Sequence, residues 1–342
     1  MHIRLLLFVA TLLIVANTQA QTGEATPSPS PADAKMLEAI VVSGEQPGPG
    51  LWKVSKGDHV MWVLGTLTPV PKRMLWQSRK VESVIADSQE VLMSGGVSVS
   101  SGKGIFGTLL LFPAMLGARK NPDKDLLKDV VPVAMYARWL VLKQKYLGRD
   151  RAVEKRRPIF AAHALYEKAI AKSGLSNAGV VSRVVNKTAK RHDIPVTVPL
   201  VKITLKDPKG MIKEFKKSSL DDVECFAKTL QHLEHDLETM KDRANAWATG
   251  DTALLQELSY TDQGRACVAA VLEASALEGE DFDALPERVK AEWLKAAEAA
   301  LGKNKRTFAA LPMRELVDSD GYLAALREKG YRVEAPGQQA AP

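Results

Sequence analysis

The stretch VMWVLGTLTP, residues 60–69, is the most informative about the fold of this chain. Its first half is apolar, as in a buried strand, and its Gly-Thr-Leu-Thr-Pro end predicts a sharp turn. A polar helix is predicted over residues 76–87, and the short apolar run 91–93 predicts another strand. The segment therefore predicts a strand, a turn, a helix and a strand in succession.

A second segment near the C-terminus repeats this plan. Residues 307–314 read TFAALPMR, a helix is predicted over 320–329, and residues 331–333 predict a short strand. Ligands in open α/β sheets bind beyond the carboxyl ends of the strands. We therefore expect both turns to face one pocket. The predicted fold is α+β, with a small mixed central sheet built from the two ends of the chain and a large helical middle region.

The first segment resembles the opening of the TraB/GumN family, which includes the Tiki-type metalloproteases. In that family the first strand ends in Gly-x-x-His, and the following helix carries Trp-x-Ser-Arg. This chain has Gly-Thr-Leu-Thr at 65–68 and Trp-Gln-Ser-Arg at 76–79, so the histidine is replaced. The family's second Gly-x-x-His corresponds to Leu-Pro-Met-Arg at 311–314, ahead of a matching Gly-x-x-x-x-Leu-x-x-x-Gly-Tyr pattern at 321–331.

These replacements remove the metal ligands that the resemblance implies. Thr68 and Arg314 stand at the two histidine positions, and Met93 or Ser94 stands where the family has a glutamate. Divalent cations in such sites need imidazole, carboxylate or thiolate donors at about 2 Å, and a guanidinium carries a fixed positive charge. The resemblance covers about residues 48–336 and implies the fold, but the activity does not transfer with it.

Two interpretations of the altered turns stay open. One is a repurposed pocket that binds a small anionic or peptide ligand without a metal or cofactor. The other is an inactive site filled by packed side chains. The residues expected to line the former site are Thr66, Thr68, Ser94, Arg79 and Arg314.

A rival function is a hydrolase or peptidase of the same fold that uses other residues in the same crevice. Its candidate donors are Asp58, His59 and Glu315. A straight strand would place His59 about 20 Å from the first turn, since each residue rises about 3.3 Å. Geometry therefore disfavours this rival.

A third function is an interaction protein that offers a helix to an envelope partner. One long helix is predicted over 220–249, with a heptad-like apolar seam from Val223 to Trp247. We expect this seam to pack on the protein's own core. His232 and His235 fall outside the seam, so we predict that both lie on a solvated polar face rather than in a metal site.

The N-terminus predicts export. Residues 1–20 combine a short basic start, an apolar core and a small-residue exit, which is typical of a cleavable secretory signal. Residues 21–47 are rich in Pro, Ser and Ala and predict a linker with one edge strand. We predict one domain at 48–336, a disordered tail at 337–342 and no membrane span after signal cleavage. The protein is then periplasmic or secreted.

Charge and cysteine content limit the kinds of partner and the cellular compartment that fit this chain. The chain has 47 basic and 40 acidic residues, and these are mixed in stretches such as 120–128 and 149–157. Mixed charge argues against nucleic acid, although the net charge of +7 is compatible with weak attraction to anionic envelope surfaces. Cys225 and Cys267 in an exported chain predict a structural disulfide. The glycine-rich run 102–107 lacks the context of a dinucleotide loop, so no cofactor is predicted.

Overall fold

The computed structural model describes residues 44–100, 117–205, 207–217, 222–258, 267 and 284–338. All of these residues belong to one compact unit of the chain. The predicted signal, the predicted linker up to residue 43, the glycine-rich run 102–107 and the tail from residue 339 lie outside the described residues.

A six-stranded mixed sheet forms the centre of the fold. Its strands, in spatial order, are β12 (Arg332–Glu334), β2 (Leu51–Lys56), β3 (His59–Thr66), β11 (Arg306–Pro312), β6 (Glu90–Met93) and β9 (Val196–Thr197). Strands β3, β11, β6 and β9 are parallel, whereas β2 is antiparallel to both of its neighbours. Apart from β9, all strands come from the two ends of the chain. The predicted α+β fold with a small mixed central sheet is therefore confirmed.

Three two-stranded pairs accompany this sheet. They are β1 (Glu45–Gln46) with β5 (Leu75–Trp76), β4 (Val70–Pro71) with β8 (Leu175–Ser176), and β7 (Gly96–Ser100) with β10 (Leu200–Thr204). The weak alternation of apolar residues over 196–204 predicts a single strand, but these residues form two strands, β9 and β10, which belong to different sheets. Pro199 separates them, and proline has no N–H to donate to a strand ladder.

α-Helices make up most of the rest of the described fold. They are α1 (Arg79–Ala86), α2 (Leu127–Val130), α3 (Val133–Tyr146), α4 (Pro158–Lys172), α5 (Val180–Arg191), α6 (Pro208–Lys217), α7 (Val223–His235), α8 (Leu237–Thr249), α9 (Thr252–Glu257), α10 (Leu285–Lys303), α11 (Met313–Val317) and α12 (Tyr322–Glu328). Helix α1 lies in the connection from β3 to β6, and β11 lies between these two strands in the sheet. Helices α11 and α12 connect β11 to β12.

Strand β11 is the centre of the core. It is buried continuously from Thr307 to Leu311, because strands lie on both sides of it and helices contact it. A strand buried on both faces needs no alternation of apolar and polar residues. This burial explains why its sequence reads as an unbroken Phe-Ala-Ala-Leu run.

The prediction of one long helix over 220–249 is wrong in one respect, because Asp236 separates two helices, α7 and α8. The Nδ1 atom of His232 lies 3.0 Å from the Oδ2 atom of Asp236. His232 is buried and its ring stacks with Tyr166, so its predicted solvated position is also wrong, whereas His235 is exposed. The seam itself packs on the protein's own core, as predicted, through Phe226, Leu230, Leu233, Leu237, Met240, Ala244 and Trp247.

Arg157 is buried in the helical middle region and links segments of backbone there. Its guanidinium donates hydrogen bonds to the carbonyl oxygens of Lys120, Phe215 and Lys216. Burial lowers the pKa of Arg157, and the nearby carboxylate of Asp222 opposes that shift. One side chain therefore joins two separate stretches of backbone, at residue 120 and at residues 215–216, to the start of α4.

The predicted disulfide between Cys225 and Cys267 is present. It joins residues 42 positions apart in the sequence, at a Cα–Cα distance of 4.7 Å. Within the described ranges, no helix has the length and apolar character needed to cross a membrane.

Candidate functional site

The two altered turns lie side by side at the carboxyl edge of the central sheet. Strands β3 and β11 are parallel neighbours, and their register pairs Thr66 with Pro312. On the other side of β11, Ala310 pairs with Met93, so Ser94 follows at about the same level. The fold thus brings the ends of β3, β11 and β6 to one edge, as open α/β sheets do at ligand sites.

Met313 fills the junction between the two turns. Its Sδ atom lies 2.8 Å from the point where a Cβ on residue 65 would stand, and its methyl group is closer still. The Cδ1 atom of Leu316 is 3.2 Å from the same point. Met313 is only 1% exposed, and Leu311 is fully buried. Apolar atoms therefore occupy the space next to Gly65.

Two indole groups hold the strand ends at this edge. The Nε1 atom of Trp247 donates a buried hydrogen bond of 2.8 Å to the carbonyl oxygen of Gly65, and its ring lies 5.8 Å from that of Trp76. The Nε1 atom of Trp293 donates in the same way to the carbonyl oxygen of Met93, at 3.1 Å. Sequence reasoning missed these roles. The available signal was that a buried indole N–H needs an acceptor.

The five candidate ligand-binding residues differ in position and exposure. Thr66 and Ser94 are half-buried at the carboxyl edge, at the ends of β3 and β6. Thr68 is exposed beyond β3, and Arg79 is exposed at the first position of α1. The side chain of Arg314 is 41% exposed. The structure places Thr66, Ser94 and Arg314 at the ends of adjacent strands, with Thr68 and Arg79 in the connection that leaves β3.

The positive charge of Arg314 has a partner within the protein. Its Nη2 atom lies 3.1 Å from the Oε1 atom of Glu315. Tyr322 is 8% exposed beside this pair and packs on the ring of Trp293. Burial raises the pKa of Tyr322 to about 12, with contributions from Glu315 and Glu287 and an opposing effect of Arg314. The phenol therefore stays neutral at physiological pH.

The groups at this edge do not fit a divalent cation. The hydroxyls of Thr68 and Ser94 are poor replacements for imidazole and carboxylate donors. Arg314 adds a fixed positive charge, and the adjacent carboxylate of Glu315 already accepts a hydrogen bond from it. Over the part of the chain that the structure describes, no group of three His, Cys, Asp or Glu residues is arranged to hold a metal ion.

The rival donors Asp58 and His59 lie at the opposite end of the same strand. His59 is the first residue of β3 and Thr66 is the last. The Nδ1 atom of His59 lies 2.8 Å from the carbonyl oxygen of Asn304, and Asp58 pairs with Lys305. Both groups therefore belong to the amino end of the sheet, away from the altered turns.

Comparison with protein families gives the chain its identity. The TraB/PrgY/gumN family model matches residues 50–335, which are most of the chain, so the chain belongs to this family. The resemblance predicted from the two turns is thereby confirmed, and the match includes both of them. No curated protein matches the chain, and no solved structure matches it.

Proposed function

We propose that this member of the TraB/PrgY/gumN family is an exported binding protein that lacks metal-dependent hydrolysis. The observation that carries the proposal is the contact between Met313 and Gly65 at the junction of the two turns. A hydrolytic cation would need several hard donors directed into that junction. A thioether and the apolar side chain of Leu316 lie there instead, within 3.2 Å of the position that a Cβ on residue 65 would take.

The accessible polar groups at the edge suit an anionic ligand. Thr66 and Ser94 provide hydroxyls, and Arg314 provides a partly exposed guanidinium. Hydroxyls and a guanidinium donate hydrogen bonds to carboxylate or phosphate groups. Because Glu315 shares the charge of Arg314, we expect the affinity for a small anion to be modest. Thr68 and Arg79 complete the proposed ligand-binding set on the exposed connection after β3.

Export is part of the proposal. It is supported by the signal-like composition of residues 1–20 and by the disulfide between Cys225 and Cys267. Structural disulfides persist in the periplasm and outside the cell, whereas cytosolic thiols are kept reduced. We therefore propose a periplasmic or secreted location. Fusion of residues 1–47 to a reporter that is active only after export tests this part, and a reporter that stays in the cytoplasm would contradict it.

The alternative is a hydrolase that uses other donors in the same crevice, and it has less support. Asp58 and His59 lie at the amino end of β3, and Glu315 pairs with Arg314. These three groups would have to meet in one place to activate water. Their positions in the fold separate the first two from the third.

Peptide hydrolysis tests the absence of catalysis. Purified protein is incubated with a mixture of unstructured peptides and Mn²⁺, Co²⁺ or Zn²⁺, and cleavage is followed by mass spectrometry. We expect no metal-dependent cleavage. Cleavage that needs the added metal and disappears in the Thr68→Ala/Arg314→Ala variant would overturn the proposal.

Binding is tested with inorganic phosphate and an acidic peptide as probes, followed by tryptophan fluorescence. Arg314→Gln is expected to weaken binding at least about tenfold, as loss of a charge-assisted hydrogen bond does. Arg306→Gln is the matched control, since Arg306 is exposed at the other end of β11 and pairs with Asp87. Equal effects of both substitutions, or no binding of either probe, would show that the edge is not an anion site.

A further inference from the structure

Helix α3 presents an apolar stripe to solvent. Its inner face buries Trp139, Leu142 and Tyr146, and α3 packs on α4 and α7 rather than on the central sheet. The exposed residues of the opposite face are Val133, Ala134, Ala137, Leu140, Val141 and Gln144, of which the first five are apolar. Val133 is 86% exposed and Val141 is 70% exposed. These five residues are called the apolar stripe below.

The spacing of the stripe places it on one side of the helix. Successive residues of a helix point about 100° apart, so positions 133, 137, 140 and 141 share one face. Surface helices of soluble domains normally carry charged or polar residues there. The stripe therefore consists of apolar side chains that are exposed to solvent and lie outside the protein's own core.

Basic residues flank the stripe, and α3 contains no acidic residue. By helical spacing, Arg138 and Lys145 lie on one flank and Lys143 on the other. Arg138 pairs with Glu234, and Lys143 pairs with Glu154, both at the inner side of the helix. Lys145 is exposed, with its ammonium 5.1 Å from the centre of the Tyr146 ring. The helix thus combines an apolar outer face with positive margins.

The chain around α3 holds the protein's entire excess of positive charge. Residues 117–157 contain 12 Lys and Arg against 5 Asp and Glu, an excess of seven that equals the net charge of +7. Basic and acidic residues in the rest of the chain balance at 35 each. Acidic residues are interspersed here, as in stretches 120–128 and 149–157, but the region still has a basic excess. Its exposed basic residues are Arg119, Lys120, Lys124, Lys128, Lys145, Arg149, Arg151 and Lys155.

We propose that α3 docks on the surface of an anionic lipid bilayer. The apolar stripe would enter the boundary between headgroups and acyl chains, as the apolar faces of interfacial helices do. The surrounding Lys and Arg side chains would meet anionic headgroups, whose field attracts basic residues within about a Debye length. Charge complementarity selects this occupant, because a protein partner for the stripe alone would not require the concentration of positive charge in residues 117–157.

The buried face of α3 packs in a different hydrophobic cluster from Met313 and Leu311. The docking surface therefore adds a location to the proposed binding function and does not depend on that function. The peptide and phosphate experiments above test the sheet edge only. If the sheet edge binds neither probe, the docking proposal still stands. If the protein does not bind vesicles, the proposed ligand site at the sheet edge still stands.

Vesicle co-sedimentation of the purified protein tests the proposal. The vesicles are phosphatidylcholine alone and an equimolar mixture of phosphatidylcholine and phosphatidylglycerol. We expect binding to the mixed vesicles at low salt, release at high salt, and little binding to phosphatidylcholine alone. The Leu140→Asp/Val141→Asp variant is expected to bind the mixed vesicles at least about tenfold more weakly, because it puts two negative charges in the stripe.

The matched control is Leu75→Asp, because Leu75 is also apolar and 64% exposed but lies in β5. It should bind vesicles like the wild type. Unchanged thermal unfolding of each variant shows that the substitutions act on binding. The proposal would be overturned if the wild-type protein did not bind anionic vesicles, or if the stripe variant bound them as well as the control does. Cross-linking of the protein in the cell envelope is the second measurement. A stripe variant that binds vesicles like the wild type but loses a cross-link to an envelope protein would overturn the lipid proposal and assign the surface to a protein partner.

Discussion

The Sδ atom of Met313 lies 2.8 Å from the point where residue 65 would carry a Cβ, so the two turns touch through Met313 and Gly65. Both residues belong to segments that resemble Gly-x-x-His turns. The first turn keeps its glycine, and the close approach of Met313 gives a steric reason for that. In the second turn, Leu311 replaces the glycine and is fully buried. A junction that resembles a metal-ligand pair is therefore closed by apolar contact.

The contact predicts coupling between positions 65 and 313. Gly65→Ala is expected to lower the free energy of unfolding by about 1–3 kcal/mol through overpacking. Met313→Ala is expected to lower it by about 2–5 kcal/mol through loss of a buried side chain. In the double variant the added methyl group fits the vacated space, so the combined loss should fall short of the sum by at least about 0.5 kcal/mol.

Urea denaturation of the four proteins measures this coupling. Gly302→Ala is a suitable control, because no atom lies within 4 Å of the added Cβ and the residue is in helix α10. It should leave the free energy of unfolding unchanged or raise it slightly. Strictly additive losses for the Gly65 and Met313 variants would mean that the two side chains do not meet.

The indole of Trp247 predicts a second effect at the same turn. Trp247→Phe keeps most of the apolar contact with Trp76 but leaves the buried carbonyl oxygen of Gly65 without its donor. An unsatisfied buried polar group costs about 1–3 kcal/mol, so the free energy of unfolding should fall by that amount. Chemical denaturation followed by circular dichroism measures it. A loss below about 0.5 kcal/mol would show that the hydrogen bond is unimportant or that another donor replaces it.

Substitution of Arg157 is expected to cause the largest loss in the free energy of unfolding in the helical region. Arg157→Met removes the donor of three backbone carbonyls and leaves the carboxylate of Asp222 without its positive neighbour. Removal of one member of a buried charged pair costs about 3–5 kcal/mol. The exposed neighbour Lys155 provides the control, and Lys155→Met should change the free energy of unfolding by less than about 0.5 kcal/mol. Similar losses in both variants, measured by thermal and urea unfolding, would contradict this role.

Tyr322 predicts a dependence of stability on alkaline pH. Its pKa is raised to about 12 in the folded protein, against about 10 in the unfolded chain. Below pH about 10 both states keep the proton and the full stability is present. Between the two values only the unfolded state loses its proton, so stability falls as pH rises. At pH about 11 the wild type should have lost about 1 kcal/mol more than Tyr322→Phe, relative to pH about 9. Identical losses from urea titrations at both pH values would contradict the shift.

The sequence was sufficient for the sheet and for the meeting of the two turns. The apolar runs at 60–64 and 308–311 have the length and composition of buried strands, and both end at turn residues. Ligand-site geometry at strand ends then placed the turns together. The side chain that fills the junction could not be predicted in this way. An apolar Met313 indicates burial, but the pattern does not say which residue it packs against.

The heptad pattern also concealed the break at Asp236. Buried positions continue at helical spacing from α7 into α8, so the seam reads as one helix although the backbone is interrupted. The same pattern predicts a solvent-exposed position for His232, because this residue lies outside the seam. The structure instead pairs it with Asp236 and covers it with Tyr166. Hydrogen-bond partners of this kind depend on the tertiary fold, which periodicity alone does not encode.

Metal binding at equilibrium shows whether the two altered turns can still hold a cation. Purified protein is dialysed against Mn²⁺, Co²⁺ or Zn²⁺, and the bound metal is measured by elemental analysis beside the Thr68→Ala/Ser94→Ala variant. Because hydroxyls and a guanidinium replace the donors that such ions require, we predict that the wild type binds no more metal than the variant. One tightly bound ion per chain in the wild type, lost in the variant, would contradict the apolar closure of the two turns.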